Sequence, residues 1–239
     1  MATDNILLAS LPEAAQDRLR PRLESVSLRT GEILHAAGDE IRHAFFLTGG
    51  LVSLEYAGAD GDTVELAIVG RDGMVGIPLV LHDLAVPYRA VVRARSTALR
   101  VRASVLLAEW QASREVHSAL LAYAGRVLNQ VSQAALCRQG HTALQRLCRW
   151  LLTAQDHLGA QPIEMTQETL ARALGIARPV VAKALLELQG ADAIWCRYGR
   201  ILIRKRPMLE STVCECYEVA HFDLHVTGAA PTATAPHPR

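Results

Sequence analysis

The chain has 239 residues, 50% of them apolar and 21% charged, which is enough for two modest domains with packed cores and too apolar for a disordered chain. No run approaches the roughly 18 apolar residues of a spanning helix, and the start, MATDNILLASLPEAAQDRLR, has no basic segment leading into an apolar one, so neither a membrane span nor a signal peptide is expected and the expected compartment is the cytoplasm. The formal charge of +1 conceals an asymmetry: between His141 and Arg206 ten Lys/Arg face five Asp/Glu, leaving the remainder net negative, as expected where only one half of a protein meets phosphate.

In chain order, residues 1–24 read as a short helical lead-in, with Leu11-Pro12-Glu13 as a helix start and Leu19 and Leu23 four apart. From 26 to 101, β-type runs (VSL, EILH, HAFFL, LVSLEYA, TVELAIV, AVVRARSTALRV) alternate with turn signals at Thr30-Gly31, Gly38-Asp39, Gly49-Gly50, Gly58-Ala59-Asp60-Gly61 and Gly70-Arg71-Asp72-Gly73. That spacing predicts an all-β sandwich or barrel, and the period-two alternation of LVSLEY predicts a strand with one wet face. SVLLAEW follows as a helical fragment. From Glu115 to Cys137 the period becomes helical, with Val116, Leu120, Tyr123, Val127 and Val131 on one face. Such a helix either packs on its own β-domain or forms a near-heptad dimer seam. The seam is the expectation, because a helix of about six turns between two small domains has little else to bury against.

Gln139-Gly140 is the expected hinge, and Thr142-x-x-Gln145 fits a capping box for a helix that Gly159 stops. The segment MTQETLARALGIARPVVAKALLELQGADAI then reads as two helices joined by a tight turn. Thr166 caps the first helix, Gly175 tolerates the positive φ of the turn, and Pro179 is allowed in the first turn of the second, where its missing N–H has no helical partner. Val181, Leu185 and Leu188 face inward; Arg178, Pro179, Ala182, Lys183 and Leu186 face out. This is a helix-turn-helix pattern with a cationic tip suited to a major groove. IWCRYGRILIRKR adds a hairpin wing with Tyr198-Gly199-Arg200 at its tip, and MLESTVCECYEVAHF reads as a last helix. The DNA-facing set is Thr166, Gln167, Arg178, Pro179, Ala182, Lys183 and Arg200. The tail from Thr227 is low-complexity and expected to be disordered.

Five cysteines show no CxxC pair and are expected to be reduced, mostly buried thiols. Cys214, Cys216, His221 and His225 count as zinc-type donors, but two cysteines two apart on a helix point about 200° apart around its axis, so no metal site is expected. Walker, G-x-S-x-G and paired zinc motifs are missing, and no enzyme or cofactor is expected.

The β-type stretch LRTGEILHAAGDEIRHAFFLTGGLVSLEYAGADGDTVELAIVGRDGMVGIPLVL, together with MTQETLARALGIARPVVAKAL and the RYGRILI wing, resembles the Crp/Fnr family of bacterial regulators over about residues 10–225. The resemblance implies an α+β architecture: a cyclic-nucleotide-binding-like jelly roll over 1–112, a dimerisation helix over 113–139, a winged helix-turn-helix over 140–226 and a tail over 227–239. It also implies double-stranded DNA, a second copy of the chain and RNA polymerase as partners, an effector of unknown identity, and no membrane. The family's phosphate pocket resembles G-E-x-G…R-S-A-x-V-R-A. Here the counterparts are Gly73-Met74-Val75-Gly76 and, ahead of Ala90-Val91-Val92-Arg93-Ala94, Tyr88-Arg89. Met74 stands where a Glu would hold a ribose hydroxyl, and the clamping Arg-Ser falls on Tyr88-Arg89, so poor binding of cyclic AMP is expected. Iron–sulfur sensing is not expected, since the first cysteine is Cys137; haem would need an axial ligand such as His35, His43, His82 or Met74. At the recognition tip, S-R-E-x-x-x-R is replaced by Ala177-Arg178-Pro179-Val180-Val181-Ala182-Lys183, so the family's half-site does not carry over. The rival reading is a ligand- or protein-binding sensor whose helix-turn-helix is an interaction module.

Overall fold

A computed structural model describes residues 4–58, 63–81 and 86–218. The lead-in forms α1 (Ile6–Ala9), capped by the Asn5 side chain, and α2 (Glu13–Leu19) after Pro12. The buried Asn5 amide also donates to the carbonyls of Leu47 and Gly73, both at 2.8 Å, which ties the lead-in to the β-domain.

The described residues of that domain form six strands: β1 (Glu24–Leu28), β2 (Ile33–His35), β3 (His43–Ala57), β4 (Thr63–Val69), β5 (Met74–Val75) and β6 (Arg89–Arg102). They pair antiparallel in the order β1-β6-β3-β4, with β2 on β6 and β5 on β3. Gly49-Gly50 does not separate two strands, as the sequence pattern suggested. It is a bulged bend inside β3, where the register against β6 slips between Leu47 and Val52. A Cβ on Gly50 would lie 2.5 Å from the Ser96 Cα, so only glycine fits this approach, and the Leu51 N–H donates to the Ser96 hydroxyl at 3.0 Å.

Next come α3 (Ala103–Ala112) and the 27-residue α4 (Arg114–Gly140), which starts at a Ser113 cap. The helix runs through Gly140 and breaks one residue later than expected, at His141 (φ −120°, ψ 150°). The capping box of Thr142 and Gln145 then opens α5 (Ala143–Leu158). β7 (Ile163–Glu164), α6 (Gln167–Leu174), α7 (Arg178–Gly190), β8 (Ile194–Arg197), β9 (Arg200–Ile203) and α8 (Arg206–Thr212) complete the described chain, the strands pairing β7-β9-β8. The architecture is a β-rich N-terminal domain, a long helix and a C-terminal winged helix-turn-helix. Among the described residues no helix is long and apolar enough to cross a membrane. The tail from Thr227 lies outside the described residues.

Three expectations change. Val116, Leu120 and Tyr123 are buried in a core with Leu19, Phe46, Met74 and Leu106, and Val127 and Val131 lean on the second β-domain core. These five side chains serve their own domain, which supplies the apolar partner that the spacing alone did not reveal. The outward face of α4 carries Leu121, Gly125, Leu128, Ser132 and Ala135 instead, at alternating steps of four and three. Second, the winged-helix core (Leu147, Trp150, Leu151, Leu170, Leu185, Ile201) takes in Leu51 of β3 and Ile68 of β4, so it reaches across the expected boundary at 140. Third, MLESTVCECYEVAHF is not one helix. The Ser211 and Thr212 hydroxyls both donate to the Met208 carbonyl, at 3.0 and 2.8 Å, α8 stops at Thr212, and Val213 is extended.

Candidate nucleic-acid interface and effector pocket

The Thr166 hydroxyl accepts the Thr169 N–H at 3.1 Å and fixes the start of α6. Gly175 takes the left-handed conformation (φ 60°, ψ 44°) that ends it, and the Ile176 N–H reaches back to the Ala171 carbonyl at 3.0 Å. Val181, Leu185 and Leu188 of α7 are buried against Leu170, Ala171 and Leu174 of α6. That packing turns Arg178, Pro179 and Lys183 to solvent, with Ala182 half-buried beside them; Val180 and Leu186 are also exposed. Neither Arg178 nor Lys183 has an ion pair among the described residues, so both charges are available to an anionic partner.

The wing tip is a two-residue turn, Tyr198-Gly199, with φ of 51° and 73°, the geometry of a tight hairpin. Arg200 belongs to the strand after it. The Tyr198 ring is 88% exposed and the Arg197 guanidinium lies over it at 4.9 Å. The remaining wing cations are engaged: Arg200 with Glu164 at 2.9 Å, Lys205 with Asp192 at 3.1 Å, Arg204 with the same aspartate, and Arg206 with Asp156 and Glu210. The Met165 N–H donates to the Gly199 carbonyl at 2.7 Å and holds the wing tip beside the start of α6. Thr166, Gln167, Arg178 and Tyr198 therefore line one cleft. Neither Arg197 nor Tyr198 stood in the DNA-facing set read from the sequence; an aromatic and an arginine at a hairpin tip were the available signal.

In the β-domain, Met74 and Val75 pair with Phe46 and Phe45. The Met74 side chain is 1% exposed, so it is a core residue. Its carbonyl accepts from the Tyr123 hydroxyl at 2.9 Å, and that ring lies against Gly73. Burial raises the Tyr123 phenol well above its ordinary pKa, so it stays a neutral donor. Tyr88 is half-buried, its ring 5.7 Å from that of the buried His35. Arg89 donates to Glu55 through Nε at 3.1 Å and Nη2 at 3.0 Å, and Arg93 pairs with the other oxygen of the same carboxylate. Glu55, 2% exposed, thus occupies both arginines. The alternation of LVSLEY predicts a strand with one wet face, but the pairing of Glu55 with Arg89 across β3 and β6 buries the carboxylate. Only the register reveals this. Burial, reinforced by Arg172, lowers the Arg93 pKa. Arg93, Thr30 and Gly31 line a second cleft together with Thr166, Tyr198 and Gly199, so the β-domain and the wing tip open onto common ground.

The two halves also meet at Glu65 of β4. Its carboxylate accepts from the Trp150 Nε1–H at 2.7 Å and from the Ser53 hydroxyl, and its carbonyl accepts from Arg138 at 2.6 Å. Burial pushes the carboxyl above the usual carboxylate range, against those hydrogen bonds and the nearby Arg149.

His82, His221 and His225 lie outside the described residues. His35 and Met74 are buried and His43 stands on β3, and neither histidine joins a His/Cys/Asp/Glu group of metal-binding spacing among the described residues. The cysteines are a correction: Cys214 and Cys216 follow the end of α8 rather than riding on one helix, and they converge on Cys137 and His141.

Residues 25–113 match the family model described as cyclic nucleotide-binding domain, and residues 145–212 match the model described as Crp-like helix-turn-helix domain. No curated protein matches the chain at the level of sequence. Among solved structures, FixK2 from Bradyrhizobium japonicum is similar at 18% identity and TM-score 0.69, over 80% of this chain and 98% of that one. The c-di-GMP responsive global regulator CLP from Xanthomonas campestris is similar at 16% and 0.64, over 80% and 99%. A CRP-family transcriptional regulator from Thermus thermophilus is similar at 20% and 0.67, over 78% and 95%. At these identities the likeness is one of fold.

Proposed function

Because the chain is a transcription regulator of the Crp/Fnr type, built from a cyclic nucleotide-binding domain and a Crp-like helix-turn-helix domain, we propose that it works as a two-fold homodimer that sets the tip of α7 into the major groove at two half-sites. Two-fold symmetry puts the recognition helices about one DNA turn, roughly 34 Å, apart, so the operator is an approximate palindrome. The observation that carries this reading is the exposed, unpaired Arg178 and Lys183 on a helix whose other face is locked into the core. Arg178 is the base-reading candidate, and Lys183 and the start of α6 at Thr166 and Gln167 contact the backbone. Arg200 shares its charge with Glu164 and so contributes less to phosphate binding than Lys183. RNA polymerase is the protein such a dimer would meet at a promoter.

The dimer forms, on this reading, along Leu121, Gly125, Leu128, Ser132 and Ala135. Leu121 and Leu128 are exposed apolar side chains, and the small Gly125, Ser132 and Ala135 allow close helix approach. Cyclic AMP is not the effector: Met74 faces the core, and Glu55 already holds Arg89 and Arg93. An effector that displaced Glu55 from Arg93 would free a side chain that lines the cleft shared with the wing, which gives a short route to the DNA-facing elements.

The test is a salt titration of binding to operator DNA selected from a random pool. A steep fall of log K with log salt and a two-fold symmetric selected site are expected. A flat dependence would support the rival reading, in which the apolar Pro179, Ala182 and Leu186 mark a protein-interaction module.

A further inference from the structure

One side-chain cluster has no part in the DNA-binding reading. Cys137 lies in the last turn of α4, His141 at the break after it, and Cys214 and Cys216 in the segment beyond α8. One donor atom from each lies within 4.8 Å of all the others. We propose that these four residues form a tetrahedral site for a thiophilic divalent cation, Zn²⁺ being the best match, and that the bound ion staples the winged-helix domain to the end of the long helix.

Two of the six donor spacings match the edges of a coordination tetrahedron, and none exceeds 4.8 Å. With Zn–S near 2.3 Å and Zn–N near 2.0–2.1 Å, its edges are about 3.8 Å between sulfurs and about 3.5 Å between sulfur and nitrogen. The Cys137 and Cys214 sulfurs are 3.7 Å apart, and the Cys216 sulfur is 3.5 Å from His141 Nδ1. A disulfide would need about 2.05 Å between the sulfurs, so the pair is two free thiols. The surroundings fit as well. His141 turns its other nitrogen, Nε2, to the Glu215 carboxylate at 3.2 Å, the outer contact that fixes a ligating imidazole with Nδ1 toward the ion. The three cysteines are buried and cluster only with one another, apart from the aliphatic cores. Binding displaces three thiol protons to solvent, and three thiolates with one Zn²⁺ leave a single negative charge, with the side chains of Arg138 and Arg146 near enough to Cys137 to offset it.

The site bridges 77 residues, from Cys137 to Cys214, and closes around α5 through α8 at the point where the chain breaks between the long helix and the DNA-binding half. An occupied site fixes the angle at His141; an empty one leaves it to Glu65 and the packed interface alone.

The experiment uses the full-length, tag-free protein purified under reductant. Elemental analysis should give one zinc per chain. After chelation, Co²⁺ should bind stoichiometrically with the thiolate charge-transfer and intense d–d absorption of a tetrahedral sulfur-rich site. Cys137→Ser and Cys214→Ser should lose that spectrum, while Cys148→Ser should keep it. Glu215→Ala, at an exposed position, should fold normally and bind Co²⁺ about 10–100-fold more weakly. Absence of the tetrahedral spectrum in the native sequence, or its persistence in Cys137→Ser, would overturn the proposal. None of these readouts depends on DNA binding.

Discussion

Leu128→Ala tests the proposed dimer seam. The Leu128 side chain is 64% exposed on the outward face of α4. Full burial of a leucine contributes about 1.5–3 kcal/mol, so at this exposure the variant forfeits about 1–2 kcal/mol per protomer, and about 2–4 kcal/mol per dimer because a two-fold axis presents the residue twice. At about 1.4 kcal/mol per factor of ten, the dimer dissociation constant should rise about 30- to 700-fold. Alanine keeps the helix intact, so the thermal midpoint of the fully dissociated chain should hardly move. Sedimentation equilibrium over a dilution series reads the constant directly. Leu120→Ala is the counterpart: that side chain is fully buried in the β-domain core, so the variant should lose about 2–5 kcal/mol of folding stability while its folded fraction dimerises normally. If Leu120→Ala dissociates the dimer and Leu128→Ala does not, the helix faces the other way in the assembly and the seam assignment is wrong.

The other expectations concern the two ends of the molecule and the joint between them. Arg178→Ala should cost about 1–3 kcal/mol of specific binding, and Lys183→Ala should weaken all sequences alike and lower the salt slope by about one, both read by mobility shift; an unchanged operator affinity for Arg178→Ala would contradict the docking. Calorimetry with cyclic AMP should show no micromolar binding, since Glu55 occupies Arg89 and Arg93, and measurable heat at that concentration would refute the closed-pocket reading. Folded Glu65 keeps its proton at pH values where the unfolded chain has lost it, so stability should fall as pH rises from about 4 upward, and Glu65→Gln should flatten that dependence in denaturant unfolding. A pH profile identical in the variant would show that the buried carboxyl is not its source.

The helix-turn-helix was legible because its determinants are local. Thr166, Gly175 and Pro179 each answer a requirement of cap, turn or first helical turn, and the alternation of Val181, Leu185 and Leu188 with Arg178 and Lys183 sets both faces of α7 whatever surrounds it. The candidate effector pocket was legible only in the negative. The loss of a Glu at Met74 could be read directly, but Glu55 became a partner for Arg89 and Arg93 only through the pairing of β3 with β6.

Where local order and tertiary contact compete, the sequence was a poorer guide. It marks α4 as an amphipathic helix but not which of its two apolar stripes is already taken; the β-domain takes Val116, Leu120 and Tyr123 and leaves Leu121 and Leu128. It places Cys214 and Cys216 two apart, and helical geometry drives them to opposite sides until α8 stops at Thr212 and the chain turns back to Cys137 and His141. Spacing along the chain is intrinsic to the amino-acid order, so helices, turns and the cationic tip were determined there. Proximity between residues dozens of positions apart depends on how whole elements pack, and only the folded molecule decided which stripe of α4 its own domain covers, the occupied arginines and the convergence of four metal-type donors.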